Sequence, residues 1–425
     1  MAVLKLHQPP LKLRADPSRV VVRPFHLPRT EVADRTRRIV DAVRSMEMRT
    51  TRAELSVVQR DFGMRHWQTQ KVFQRRFAQV AEQLGLDPES VREEKRLLIG
   101  AYLCHEYSYA AAALMNPSVT RHPDQSGLAP GSQRFIMTLR AVGEGHISSV
   151  AFREGIVGER EIQLMPQPPF ATAANGHAHH GDDYEGAVTV SRNDDSTLSG
   201  TVLFPVTAAQ RNGLEDLRIT RFTHDSGDVE WVGTYTAYSG REIQSELLRT
   251  RDFQRFDLVP IEGRAGRNKG MAPFPRQVNG RYLMIGRQDG ENLYLLQSDD
   301  LLNWDDEGTL LMGPRFPWEL VQIGNCGAPI ELDEGWLVLT HGVGAMRKYS
   351  IGAALLDKQD PTKVLGRTFE PILSAADEDR EGYVPNVVYT CGAIRVGDDL
   401  FMPYGVADSS VAFAFVPIKP LLASM

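Results

Sequence analysis

The sequence predicts a mainly β protein, a five-bladed β-propeller preceded by an N-terminal α-helical region. Two observations carry this. Up to about Leu114 the apolar residues recur at spacings of three and four, the period of amphipathic helices. Beyond Asn116 that period gives way to short strands, turns and frequent glycines, in which one strand–turn–strand grammar returns five times. The expected division is 1–114 for the helical region and 115–425 for the propeller.

In the first part, "VADRTRRIVDAVRSM", "AELSVVQRDF" and "WQTQKVFQRRFAQVAEQLGL" each present one apolar face. Thr51 with Glu54 forms a capping box, Gly85 closes a helix, and Asp87-Pro88 places an N-cap aspartate before a first-turn proline. "LLIGAYLCHEYSYAAAALMNPSV" reads as a last, largely buried helix. The basic runs at 35–38 and 71–77 read as solvated helix surface, or alternatively as a face packed on a neighbouring subunit; the second reading predicts a homo-oligomer.

The five copies are "GSQRFIMTLRAVGEGHISSVAFREGI", "GDVEWVGTYTAYSGREIQSELLRTRDFQRF", "NGRYLMIGRQDGENLYLLQSDDLLNW", "EGWLVLTHGVGAMRKYSIGAALLD" and "GDDLFMPYGVADSSVAFAFVPI". Each opens on a glycine turn, runs as a strand with a bulky apolar residue near its start, crosses a polar turn and returns. None can bury both faces alone, so stacked blades are the expected solution. An irregular β-sandwich is the alternative. In a propeller the innermost strands converge on the axis, and charged residues stand near their ends: Arg140, Asp216, Arg218, Arg287, His341 and Asp408. Each alone reads as a solvated turn residue; together they describe one polar pocket.

Composition limits the partners. The chain has 425 residues, and 48 basic residues stand against 54 acidic ones, a net charge of −6. Nothing is basic enough for nucleic acid. The start lacks the apolar run of a signal peptide, and no stretch nears the ~20 apolar residues that cross a bilayer. A cytoplasmic protein without membrane contact is the expectation. Cys104, Cys326 and Cys391 are too few and scattered for a disulfide framework or zinc site and read as buried apolar residues.

"NPSV", "LEDLRI", "FPRQVNGRYLMIGR", "SDDLLNW", "GWLVLTHGV", "YSIGAALLD", "PNVVYTCGA" and "YGVADS", in this order, resemble glycoside hydrolase family 130, the inverting β-mannoside phosphorylases and β-mannosidases on five-bladed propellers. The resemblance covers roughly 112–425. It implies that Asp216 is the general acid, with Leu217 standing where the family usually has proline. It implies that Asn116, Ser118, Arg140 and Asp408 hold the sugar and that Tyr349 lines the pocket. Its phosphate positions fall on Lys269, Arg287 and His341, while Gln322 replaces a lysine common before "IG". No cofactor is implied beyond inorganic phosphate as co-substrate; the partners are a β-mannoside and phosphate.

The chemistry is coherent without the family. Inverting displacement needs a proton for the leaving oxygen and a nucleophile from the opposite face. Asp216 can deliver the proton, directly or through a sugar hydroxyl, if burial or Glu215 raises its pKa. Glu215 reads more readily as the salt-bridge partner of Arg218. Attacking phosphate needs cations, and Arg grips it bidentately where Lys acts as a point charge. Attacking water needs a second carboxylate roughly 6.5 to 9.5 Å away, for which Glu319, Glu144 or an acid of the His-rich loop qualify. With its three basic positions kept at Lys269, Arg287 and His341, the resemblance implies a phosphorylase that cleaves a β-mannoside and releases mannose 1-phosphate. The alternative is an inverting β-mannosidase, which Gln322 favours, and a third reading is a sugar-binding propeller without catalysis.

"HAHHGDD", residues 177–183, holds metal-type side chains inside an insertion from about Pro166 to Gly213. It reads as a polar loop, as a lid with His179 or His180 against the sugar, or as a metal site. Two histidines two apart on an irregular loop fix no coordination geometry, so no metal is assigned.

Overall fold

The computed structural model describes residues 4–25, 27, 29–30, 33–178 and 186–425. The chain is mainly β and divides into two compact units. One is Pro17–Tyr109 with Pro168–Ala173; the other is Met1–Asp16, Ala110–Gln167 and Ala174–Met425.

The first unit holds α1 (Arg35–Ser45), α2 (Met48–Phe62), α3 (Thr69–Leu84) and α4 (Glu93–Tyr102). Val40 and Val43 of α1 pack with Phe77, Val80 and Ala81 of α3 and Leu98 and Ile99 of α4. Gly100 makes this approach possible, since a Cβ there would lie 2.0 Å from the Phe73 carbonyl oxygen. Gly85, at φ 65°, closes α3 by donating to the Ala81 and Glu82 carbonyls. Asp87 accepts from the Glu89 N–H as expected.

Three expectations for this unit fail. Thr51 does not open a helix; α2 begins at Met48, and the buried Thr51 hydroxyl donates to the Glu47 carbonyl. The basic run 71–77 is not all solvated, because Arg76 is buried and donates to the Leu103 and Phe25 carbonyls. The last helix ends at Tyr102. Cys104–Ser108 is a strand paired antiparallel with the β-branched run of Val20–Pro24, and Ala113 pairs with Val142, so tertiary pairing overrides the helical propensity of the alanines.

Among the described residues the second unit contains five antiparallel four-stranded groups. They are Ala113–Arg121, Gln133–Val142, Ser148–Gly158 and Glu161–Leu164; Gly213–Thr223, Val229–Tyr238, Ile243–Thr250 and Arg255–Pro260; Ala272–Pro273, Tyr282–Gly286, Leu293–Ser298 and Thr309–Met312; Gln322–Asn325, Trp336–Val343, Tyr349–Leu356 and Val364–Arg367; and Val388–Tyr389, Asp399–Val406, Ser410–Pro417 and Leu13–Arg14. The last strand comes from the start of the chain: Leu13 pairs with Val411. Residues 4–16 thus belong with the β-rich unit, where the sequence reading places them in the helical region.

The five repeats each supply a central hairpin. The stretch 166–213 is not merely a loop: Val188–Ser191 pairs with Arg255–Pro260 and Thr201–Leu203 with Ser148–Gly158, while Gly213 pairs parallel with Ser148 and so joins the first two groups in one large sheet. Among the described residues no sheet closes on itself. Packing nevertheless runs from each group to the next. Leu214 and Phe152 share a cluster, as do Phe222 and Met284, Ile285 and Val338, and Leu339 and Met402. Phe135 of the first group then meets Phe401 of the fifth at 5.1 Å.

Phe401 also contacts Phe413 and Phe415 and has no exposed surface. Phe401→Ala is expected to lower the unfolding free energy by roughly 3–5 kcal/mol, read by denaturant titration. A change under about 1 kcal/mol would mean that the first and fifth groups do not depend on this contact.

Candidate active site

Two β-bulges build the centre of the site. On Gly213–Thr223 the register slips between Glu215 and Arg218, and Asp216 sits at φ 54°. On Ala113–Arg121 it slips between Met115 and Ser118, and Asn116 sits at φ 47°. Asn and Asp tolerate left-handed backbone better than other non-glycine residues, and a bulge re-aims the side chain it carries. Both residues turn into a cavity of about 480 Å³ that also takes Arg140, Glu215, Arg218, Lys269, Arg287, Gln322, His341, Arg347, Tyr349, Tyr389 and Asp408. Leu217, between the two bulge acids and Arg218, points the other way into the core.

Asp216 Oδ1 accepts from Asn116 Nδ2 at 2.7 Å and from Arg140 Nη1 at 3.2 Å. Arg140 also donates through Nη2 to Glu215 Oε1 at 2.6 Å and through Nε to Ser148 Oγ at 2.9 Å. Arg218 donates to the Asp216 carbonyl at 3.1 Å and to the Tyr389 hydroxyl at 2.7 Å. Glu215 therefore pairs with Arg140, not with Arg218 as the sequence suggests, because the bulge swings the two apart. His341 lies 4.9 Å from the Tyr389 ring and 6.0 Å from Tyr349. Gly324 underlies it, since a Cβ there would lie 2.2 Å from the imidazole Cε1. Asn116 Oδ1 and Asn325 Nδ2 are buried without a protein partner, as expected of groups that serve a ligand.

Electrostatics corrects two expectations. Burial works to raise the Asp216 pKa, but Arg140, Arg218 and the hydrogen bonds from Asn116 and Arg140 outweigh it and hold the carboxyl below its ordinary range. Asp216 is thus held as the carboxylate; the raised pKa belongs to its neighbours. Burial, with Asp216 adding, lifts Glu215 against the pull of Arg140, and the same two causes push Asp408 up to about 6. His341 is not a cation: burial, Arg287 and Arg218 lower it to about 3, so it faces the cavity as neutral imidazole. The positive charge comes from Lys269, Arg287, Arg218 and Arg347. Among the described residues no salt bridge engages Lys269 or Arg287.

Asn116, Arg140, Asp216, Lys269, Arg287, His341, Tyr349 and Asp408 thus come together, with Gln322 beside them. Ser118 does not line the cavity; it is fully buried, and its Oγ accepts from the Ile219 N–H at 3.1 Å. Glu319 is no candidate base. It is buried away from the cavity, paired with Arg367 at 2.6 Å, and accepts from the Arg315 and Phe316 N–H groups. Glu144 is exposed in the turn after Val142 and is also absent from the lining. In the His-rich stretch, residues 179–185 lie outside the described residues, and with them the His179 and His180 lid and the metal reading. Sequence reasoning missed Thr236, Asn325, Arg347 and Tyr389. Tyr389 stood within the quoted "PNVVYTCGA", but nothing in its spacing marked it, and Arg347 is brought in by a hairpin whose conformation is invisible in the sequence.

The profile of glycoside hydrolase family 130, described as beta-1,4-mannooligosaccharide phosphorylase, matches residues 194–425. A beta-1,2-mannobiose phosphorylase of Listeria innocua serovar 6a is 36% identical over 228 residues, 52% of this chain and 62% of that protein. A 1,2-beta-oligomannan phosphorylase of Thermoanaerobacter sp. strain X514 is 32% identical over 231 residues, 53% of this chain and 75% of that protein. The chain thus spans less than two thirds of the Listeria protein's length. A solved glycosyl hydrolase from Bacteroides ovatus shares the fold, with a TM-score of 0.52 at 21% identity over 74% of this chain and 86% of that one. With more than half of its length matched by the family profile, the chain belongs to glycoside hydrolase family 130.

Proposed function

We propose that this chain is an inverting phosphorylase that cleaves β-mannosides with inorganic phosphate and releases mannose 1-phosphate. The observation that carries this is the meeting, in one cavity, of the Asp216 carboxylate with the Lys269 and Arg287 cations. The relatives named phosphorylases support it. The five strand groups act as blades of a propeller: the packing that leads from each group to the next, and from the fifth to the first, supports that reading.

In this mechanism Asn116, Arg140, Tyr349 and Asp408 hold the mannosyl ring, and Lys269 and Arg287 hold the phosphate, with neutral His341 as a hydrogen-bonding wall. Phosphate brings its own negative charge and needs no protein base. Its arrival also brings negative charge into the cavity that holds Asp216, so the carboxyl gains proton affinity when phosphate is bound. The proton then passes to the leaving oxygen, directly or through a sugar hydroxyl. Water as nucleophile fits less well. Glu319 and Glu144 stand outside the cavity, while Glu215, Asp216 and Asp408 all act on Arg140 and so gather around one guanidinium. A base on the opposite face of the ring is what the hydrolytic route requires. Gln322 in the lining is the feature that still favours hydrolysis.

Incubation with β-1,2- and β-1,4-mannobiose, with and without phosphate, tests the proposal. Mannose 1-phosphate formed only with phosphate is the expected product; free mannose formed at an equal rate without phosphate would establish the hydrolase. Asp216→Asn is expected to cut kcat/KM by roughly 10²–10⁴, the usual contribution of a general acid.

Asp408 adds a pH signature. With a pKa near 6 its carboxyl is neutral below that pH and can no longer accept two hydroxyls as an anion. Thus kcat/KM should fall as pH drops through about 6. Asp408→Asn should be slower throughout and lack that inflection; a variant that keeps it would assign the titration to another group.

A further inference from the structure

The hairpins around Gly143–Ile147 and Gly344–Lys348 are built alike. Gly143 lies at φ −101°, ψ −163° and Gly344 at φ −103°, ψ −162°. Each is followed by two left-handed residues, Gly145 at 69° and His146 at 59° in the first, Met346 and Arg347 at 56° in the second. Three residues before each glycine stands a residue of the cavity, Arg140 and His341 respectively. Three residues after Gly344 stands Arg347, which lines the cavity. The corresponding residue after Gly143 is His146, which is exposed.

A second line leads to Tyr383. Gly382 lies so close to the Ala407–Ser409 turn that a Cβ would sit 2.3 Å from the Ala407 carbonyl oxygen. The Val384 N–H donates to that same oxygen at 3.1 Å, and the Asn386 carbonyl accepts from the Tyr349 N–H at 2.9 Å. Tyr383 is therefore held between two residues fastened to the turn that carries Asp408. Its ring is 62% exposed and stands 6.0 Å from the His146 ring.

We propose that Tyr383 and His146 form the wall that receives the sugar on the leaving side of the cleaved bond, and so set the preference for that sugar. The inference rests on the phosphorylase reading above. A pyranose has an apolar C–H face and a polar rim, which matches an aromatic face with a hydroxyl at one end and an imidazole beside it. The charged interior is committed to the mannosyl ring and the phosphate, so the leaving sugar extends outward past the turn of Asp408, to which the residues on either side of Tyr383 are fastened.

The reverse reaction isolates this sugar from the other substrate. With mannose 1-phosphate and mannose as acceptor, Tyr383→Ala is expected to raise the acceptor KM roughly tenfold, with the KM for mannose 1-phosphate changed less than about twofold. Tyr383→Phe should restore the acceptor KM, since it keeps the ring face. His146→Ala should shift the acceptor KM in the same direction by about threefold. Equal changes in both KM values, or no change in either, would overturn the assignment. Calorimetric titration of mannobiose without phosphate reads the wall apart from catalysis. If wild type fails to phosphorolyse any mannobiose, the reaction assignment falls, yet roughly tenfold weaker mannobiose binding by Tyr383→Ala still supports the wall. Unchanged binding overturns it.

Discussion

Asp216 Oδ1 is the point on which this architecture turns. It accepts from Asn116 of the first strand group and from Arg140 of the same group, while Asp216 itself belongs to the second. Three strands must therefore keep their mutual register for one oxygen to have its two donors. The two bulges are the local cost. Each interrupts a ladder and places a non-glycine residue in left-handed backbone, and each is tolerated because its side chain hydrogen-bonds across the gap so created. Remove either bulge and the side chain returns to the alternation of its strand, facing a neighbouring sheet residue instead of the cavity.

The same cluster sets the charge pattern. Arg140 is surrounded by Glu215, Asp216 and Asp408, and these acids settle differently although they share one cation. Asp216 has two guanidiniums and an amide and stays ionised; Glu215 and Asp408 have less help and are lifted by burial and by Asp216. Next to them, Lys269, Arg287 and Arg347 add positive charge, and His341 is kept neutral by burial first and then by repulsion from Arg287 and Arg218. One cavity thus holds carboxyls shifted in opposite directions beside cations, the kind of perturbed charge set that marks functional sites.

Much of this was legible in the sequence. The five copies correspond to five hairpins because alternation and glycine turns are local properties, and the strand ends named beforehand, from Arg140 to Asp408, do meet. What escaped did so for non-local reasons. The Ala110–Ala113 run reads as helix, but the chain turns at Ala110–Ala112 and Ala113 enters a strand by pairing with Val142. Arg76 looks like a solvated cation until the Leu103 and Phe25 carbonyls, from two other segments, are found around it. Glu319 and Ser118 carry the right chemistry but spend it inside the scaffold, on Arg367 and on the Ile219 N–H.

By itself, the sequence determined the strand period, the repeat and the inventory of acids and cations, because these depend on residue type and spacing within a few positions. Tertiary structure alone decided which acid's pKa is lowered and which are raised, that His341 is neutral, and that Leu13–Arg14 completes the fifth strand group. Protonation depends on burial and on charges a few ångströms away, and those distances are set by chain segments a hundred or more residues apart, such as Asn116 against Asp216.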